Sequence, residues 1–190
     1  MDSVSRAAAP ARAFTLRVGT HEDIEILSEI DLDASELFVR AGLDVEFPSQ
    51  HEFALAERAR WLRSLISGET LLAVDSSGRA LGFAASGSRD GQPFLDQLSV
   101  RQSAMRVGIG SALLRATERI ARAAGGRSLW LTTYRHLSWN RPFYERKGFA
   151  MVPETQCGPE MAAELDHERR WLPVPAERIA MRKIFPPTNP

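Results

Sequence analysis

The chain has 190 residues, enough for one domain with a sizeable buried core and no need of disulfide staples. Lysine plus arginine and aspartate plus glutamate both number 24, so charge balance argues against nucleic acid or an anionic membrane as the main partner. The single cysteine, Cys157, excludes a disulfide framework and a cysteine-rich metal cluster, and no apolar run approaches the roughly 20 residues that span a bilayer.

Residues 1–13, "MDSVSRAAAPARA", lack the apolar stretch of a secretory signal and read as an Ala-rich tail. Together with the lone cysteine this places the protein in the cytoplasm. From Phe14 to Val18 the residues alternate as in a strand, and Thr20 with Asp23 resembles a capping box opening "HEDIEILSEIDLDASELF". Ile24, Leu27, Ile30, Leu37 and Phe38 give that helix an apolar stripe. "VRAGLDVEFPSQ", broken by Gly42 and Pro48, is a loop. A second helix from about His51 to Ser67 is expected to bury Phe53, Leu55, Trp61, Leu62, Leu65 and Ile66.

After Gly68 the period changes. "TLLAVD", "ALGFAASG" and "PFLDQLSV", separated by "SSGR" and "RDGQ", predict an antiparallel meander. A helix from Ser111 carries Leu113, Leu114, Thr117, Ile120, Ala121 and Ala124 on one face and stops at Gly125. "SLWLTTY" then completes a strand-helix-strand crossover. "LSWNRPFYERKGF" predicts a short helix ending at Gly148, and "FAMV" a strand. Residues 153–177 form a polar insertion with a helix-like "PEMAAELDHERRWL", "RIAMRKIF" is the last strand, and 186–190 are a tail. The organisation is one α/β domain over residues 14–185.

"MRVGIGSALL", between the third meander strand and the helix, is the first stretch that suggests chemistry. Small residues at a helix entrance let backbone N–H groups converge on an anion, which the helix dipole favours. A dinucleotide fingerprint fails, because its third small residue is replaced by Leu113. A Walker loop fails too, because "SALL" stands where Lys and Ser or Thr are needed. From this stretch alone, a plain turn with no ligand remains open.

"LDQLSV", "MRVGIGSALL" and "NRPFYERKGF", in this order of elements, resemble the GNAT superfamily of N-acetyltransferases. The resemblance runs from about Phe14 to Phe185 and is strongest from Leu95 to Phe149. It implies a central mixed, mostly antiparallel sheet with helices on both faces and a splayed strand pair. It implies acetyl-CoA as cosubstrate, no metal, and transfer of the acetyl group to a primary amine. By position, Val107, Gly108, Ile109, Gly110 and Ser111 would wrap the coenzyme pyrophosphate, with Arg106 nearby. The chain departs from the family motif at Met105, where Gln or Arg is usual. Leu98, Ser99 and Val100 would lie along the pantetheine arm, and Tyr144 would protonate the departing thiolate. Asn140, four residues before that tyrosine rather than seven, resembles a bacterial subgroup with a "WNxPFYxRxGF" signature and would contact the coenzyme.

An amine attacks a thioester only when neutral, and a lysine-like amine has a pKa of about 10.4, so a proton acceptor or a water relay is required. Asp96 is the first choice, because its alternation parity is that of Leu98, facing the cleft. Asp31 and Glu36 on the first helix are rivals near the acceptor opening, and His136 and Trp139 could wall it. Cys157 lies in the insertion, which favours direct attack in a ternary complex over an acyl-enzyme. An inactive acyl-CoA sensor is the alternative, against which Tyr144 argues. Asp44 and Glu46 in the first long loop would suit a cationic amine. A peptide N-terminus, lysine, polyamine, amino acid or aminoglycoside all stay open, and the resemblance is compatible with a homodimer.

Overall fold

Phe14–Val18 forms the first strand, β1, and the Thr20–Asp23 capping box is present, the Thr20 amide donating to Asp23 Oδ2 at 2.8 Å. The computed structural model describes residues 13–186, so the expected tails lie outside the described residues but for their innermost positions. Two helices follow, α1 (Ile24–Arg40) and α2 (Glu52–Ile66). The meander is β2 (Leu71–Asp75), β3 (Ala80–Arg89) and β4 (Gln92–Val100). Next come α3 (Ile109–Ala123), β5 (Ser128–Tyr134), α4 (Arg141–Glu145) and β6 (Ala150–Val152). The insertion carries α5 (Pro159–Trp171), and β7 (Arg178–Ile184) closes the order.

One seven-stranded sheet runs β1-β2-β3-β4-β5-β7-β6, antiparallel throughout except between β4 and β5. Those two parallel strands pair at a single position, Phe94 with Trp130, and then separate. The expected α/β fold with a splayed strand pair is therefore present. On one face α3 packs Leu113 and Leu114 against Leu81, Ala84, Leu95, Leu129, Leu131 and Met181. On the other, α1 and α2 set Leu27, Ile30, Trp61 and Leu65 against Leu72, Phe83 and Ala85, while α5 brings Met161 and Leu165 onto Phe94 and Trp130. Each buried Leu, Ile, Met or Phe side chain among these contributes about 1.5–3 kcal/mol by leaving water.

Three expected core positions of α2 are on the surface: Leu55, Leu62 and Ile66 are 52%, 37% and 72% exposed. The physical reason is phase. Phe53, Trp61, Ser64 and Leu65 already fill the arc that faces the sheet, so the 55-62-66 row turns outward. Ile120 and Ala124 of the α3 region are exposed likewise, while Glu118 is buried and receives both of its contacts from Lys183 at 2.8 Å.

The Asp90-Gly91 turn does more than reverse the chain. Both residues have positive φ, 51° and 67°, as a two-residue hairpin of this twist requires. The Asp90 carboxylate then accepts from the amides of Glu160 (2.9 Å) and Met161 (3.0 Å), and the Asp90 amide donates back to the Glu160 side chain. A turn in the meander thus caps the insertion helix 70 residues away and fixes α5 across the sheet.

Candidate active site

The loop before α3 bends through Arg106 (φ 62°) and Gly108 (φ 94°), the latter being the N-cap of α3. No side chain caps this helix, and no acidic residue stands in its first turn. The amides of its first turn thus face outward with the positive end of a 15-residue helix behind them. A Cβ on Gly108 would meet nothing within 4 Å, so the space in front of the loop is open. Arg106 and Val107 are exposed beside it. These groups fit a pyrophosphate.

β4 offers a second unpaired feature. The Arg101 amide bonds back to Leu81 on β3, and alternation along the ladder turns Ser99 and Gln97 to the same side. The backbone groups of Leu98 and Val100 therefore face the gap left by β5. Their side chains rest on the α3-side core. An extended, amide-bearing arm could pair with this edge as an added strand does. Gly110 links the two features, since a Cβ there would come within 3.8 Å of Val100 and 3.9 Å of Phe143. Loop, strand edge and α4 thus meet at one place.

Tyr144 lies on the same face. Its ring sits between Phe143 and Phe149, with centroids 5.1 Å and 5.7 Å away, and packs against the α3-side core. Burial pushes its phenol well above the ordinary tyrosine range, against the opposing charge of Arg178, so it keeps its proton at neutral pH. Asn140 is the N-cap of α4 but makes no side-chain cap bond; its carbonyl accepts from Phe143 (2.9 Å) and Tyr144 (3.2 Å). Its backbone amide donates to Leu137 (3.1 Å), and its side-chain amide makes no hydrogen bond among the described residues.

The opposite face differs from the sequence-based expectation at Asp96. The β3–β4 register shifts so that Ala85 pairs with Gln97 while Ser86 pairs with Leu95, and Asp96 is the extra residue of a bulge. The bulge overturns the assumed parity: Asp96 points with Gln97 and Ser99 to the α1–α2 side, away from Leu98. There Arg89 holds it at 2.8 Å and also holds Glu164 of α5 at 2.9 Å, which pairs with Arg60 at 3.1 Å. Asp96 lines, with Arg60, Ser64, Gly87 and Arg89, a cavity of about 290 Å³ behind β3. Its pKa is raised, chiefly by burial and against the pull of Arg89 and Arg60.

Asp31 of α1 reaches β4 beyond the bulge. Its Oδ1 accepts from Gln97 Nε2 (2.6 Å) and Ser99 Oγ (2.7 Å), and burial raises its pKa against these two donors. The Ser99 side chain is therefore turned away from the α3 side, on which Leu98 and Val100 pack and where it was expected to lie along a coenzyme arm. Glu36 is exposed, bound to Gln102 and Arg40 at 2.8 Å each, and held below the usual carboxylate range chiefly by Gln102. His136 is exposed, 3.5 Å from Glu177. Trp139 packs on Phe38 with its indole N–H buried and unpaired.

The family model for acetyltransferases of the GNAT type matches residues 34–149, from mid-α1 to the turn before β6. The chain belongs to the acetyltransferase (GNAT) family. As a GNAT protein it is an enzyme of the acyl-CoA-dependent acetyltransferase class. Its fold is similar to solved structures at low identity. An acetyltransferase of the GNAT family from Staphylococcus aureus Mu50 gives a TM-score of 0.68 at 14% identity, over 90% of this chain and 99% of that one. The PaiA N-acetyltransferase from Thermoplasma acidophilum, in complex with coenzyme A, gives 0.64 at 18%, over 91% and 99%. The N-acetylglutamate synthase from Neisseria gonorrhoeae, complexed with coenzyme A and N-acetyl-glutamate, gives 0.65 at 15%, over 92% of this chain but 36% of that one.

A polar network beside the divided sheet carries no sequence signal. Thr132 bonds Glu168 at 2.5 Å, and Arg178 reaches both, at 3.1 Å and 2.6 Å. Tyr134 donates to the Pro173 carbonyl at 2.7 Å, and burial lifts its pKa to about 12. Glu164 and Glu168, one turn apart on α5, thus reach β3 and β4 through Arg89, and β5 and β7 through Thr132 and Arg178. They bridge the two halves of the sheet where it divides. No helix among the described residues is long and apolar enough to cross a membrane, and no cluster of metal-ligating side chains is present among them.

Proposed function

We propose that this GNAT protein moves the acetyl group of acetyl-CoA to a primary amine by direct attack in a ternary complex. The observation that carries the reading is the uncapped N-terminus of α3 beside the unpaired edge of β4, one suited to a pyrophosphate and the other to an amide-bearing arm. Val107, Gly108, Ile109, Gly110 and Ser111 hold the pyrophosphate, Arg106 adds a cation, and Leu98, Val100 and Asn140 hold the arm. Bound there, acetyl-CoA supplies an acyl carbon activated by its thioester. The amine nitrogen bonds to that carbon, the C–S bond breaks, and Tyr144 gives its proton to the departing sulfur before regaining one from solvent. The nitrogen gives up its own proton to a base or water.

A cationic acceptor suits the opposite face. Between residues 24 and 50, Glu25, Glu29 and Glu36 pair with Arg58, Arg101 and Arg40, while Asp31, Asp33, Asp44 and Glu46 pair with no cation among the described residues and would meet a cationic amine.

Calorimetric titration with acetyl-CoA, of the wild type and of Arg106→Glu and Gly108→Asp, tests the coenzyme site. Coenzyme release is then measured with 1,4-diaminobutane, an alanyl peptide and hydroxylamine. Saturable binding weakened in both variants, with turnover of an amine, supports the reading. Binding without turnover of any of them favours a sensor, and absence of binding overturns both.

A further inference from the structure

The apolar stripe of α1 changes character along its length. Leu27 and Ile30 lie over β2 and β3, Asp31 reaches Gln97 and Ser99 on β4, and Phe38 meets Tyr134 on β5 at 6.1 Å. The helix therefore crosses the gap between the splayed strands. The residues of its inner face between those two anchors are Ala34 and Ser35, both small and both buried. Asp31 stands at the β4 edge of that window, and its Oδ2 takes no hydrogen bond among the described residues.

We propose that Asp31 is the proton acceptor for the attacking amine, its free Oδ2 meeting the nitrogen from the α1 side of the gap. The inference rests on the acetyltransfer reading and replaces Asp96 in the role. In the step, the N–H proton passes to Asp31 Oδ2 as the nitrogen bonds to the acyl carbon, and solvent then takes it from the carboxyl.

The neighbourhood distinguishes the two carboxylates. Asp96 is paired with Arg89, and protonating it would leave a buried guanidinium short of a partner. No cation pairs with Asp31 among the described residues, and the loop after α1 brings the Glu46 carboxylate only as far as Ser35, one turn along the helix. β4 offers only Gln97 and Ser99, and β3 offers Phe83 and Ala85. Arg58 of α2 is taken by Glu25 and Arg101 by Glu29. Burial disfavours the anion and neutral donors only partly offset it, which leaves a carboxylate more basic than an exposed one. Such a group also burdens the fold. With its pKa raised on folding, stability is fullest below the ordinary carboxylate pKa and declines as pH rises through the raised value. Removing the charge should then stabilise the protein at neutral pH.

The test uses the full chain with the same three amines and compares wild type, Asp31→Asn, Asp31→Glu and, as a control on the exposed side of α1, Glu29→Gln. Expected are a fall in kcat of about 100-fold or more for Asp31→Asn, loss of the acidic limb of its pH profile, unchanged acetyl-CoA affinity and a melting temperature at pH 7 no lower than wild type. Asp31→Glu keeps the limb, and Glu29→Gln behaves as wild type. A limb that survives in Asp31→Asn overturns the inference and leaves acetyltransfer standing. So does an Asp31→Asn protein that melts lower and binds coenzyme poorly, because the carboxylate is then structural. A carbon-13 titration of Asp31 in the wild type gives an answer without variants: a midpoint in the ordinary carboxylate range overturns the role. Coenzyme binding with no turnover of any amine by the wild type overturns the transfer reading, and the inference with it.

Discussion

The two faces of the sheet were built in different ways. On the α3 face the parts of the proposed coenzyme site follow one another in the chain, from Leu98 through the loop at Arg106–Gly108 to the first turn of α3, with only Tyr144 and Asn140 brought in from α4. On the opposite face, which carries α1, α2 and α5, almost nothing is contiguous: Asp31, Asp96, Glu164, Glu168 and Arg178 come from α1, β4, α5 and β7. A site made of backbone amides on consecutive residues tolerates side-chain variation. One made of side chains held by other side chains does not.

Substitutions can break this contrast from either side. The largest effect is expected from Tyr144→Phe, which keeps the ring between Phe143 and Phe149 but removes the proton. Its kcat should fall by about 100-fold or more in a coenzyme-release assay, with acetyl-CoA affinity unchanged. Because the phenol pKa is raised, the wild type should show no descending limb from Tyr144 up to about pH 10. Gly108→Asp puts a negative charge at the uncapped helix end and should weaken acetyl-CoA by at least about 100-fold in calorimetry.

Smaller effects sharpen it. Asp90→Gly keeps the positive-φ turn and deletes only the carboxylate that caps α5, so denaturant unfolding should show a loss of about 1–2 kcal/mol. Gly110→Ala separates fold from ligand. The new methyl meets Val100 and Phe143 at ordinary contact distance inside a helix, so stability should hold or rise by up to about 1 kcal/mol. Coenzyme affinity should nonetheless drop, by about tenfold, because the methyl stands where the backbone must approach the pyrophosphate. An unchanged affinity would show that the glycine serves packing alone.

The same contrast explains which parts were legible. Alternation marked every strand of the meander, the Thr20–Asp23 box opened the first helical segment, and "MRVGIG" marked the loop that leads into the uncapped start of α3, because each signal is local. The phase of α2 was misjudged at Leu55, Leu62 and Ile66, since its composition supplies more apolar residues than the buried arc accepts. Asp96 was assigned to the wrong face for a different reason. A bulge is a property of two strands together, and neither "FAASGSR" nor "PFLDQLSV" carries a mark of where the register slips.

By itself the sequence determined the order of elements, the helix and strand periods, and the glycine-bearing loop before α3, all of which depend on residues within a turn or two of each other. Only the tertiary structure decided the rest. The separation of β4 from β5, the capping of α5 by Asp90 and the isolation of Asp31 from every cation arise from contacts between residues tens of positions apart. Desolvation and charge pairing, which set the chemistry of a carboxylate, are sums over spatial neighbours that no linear spacing records.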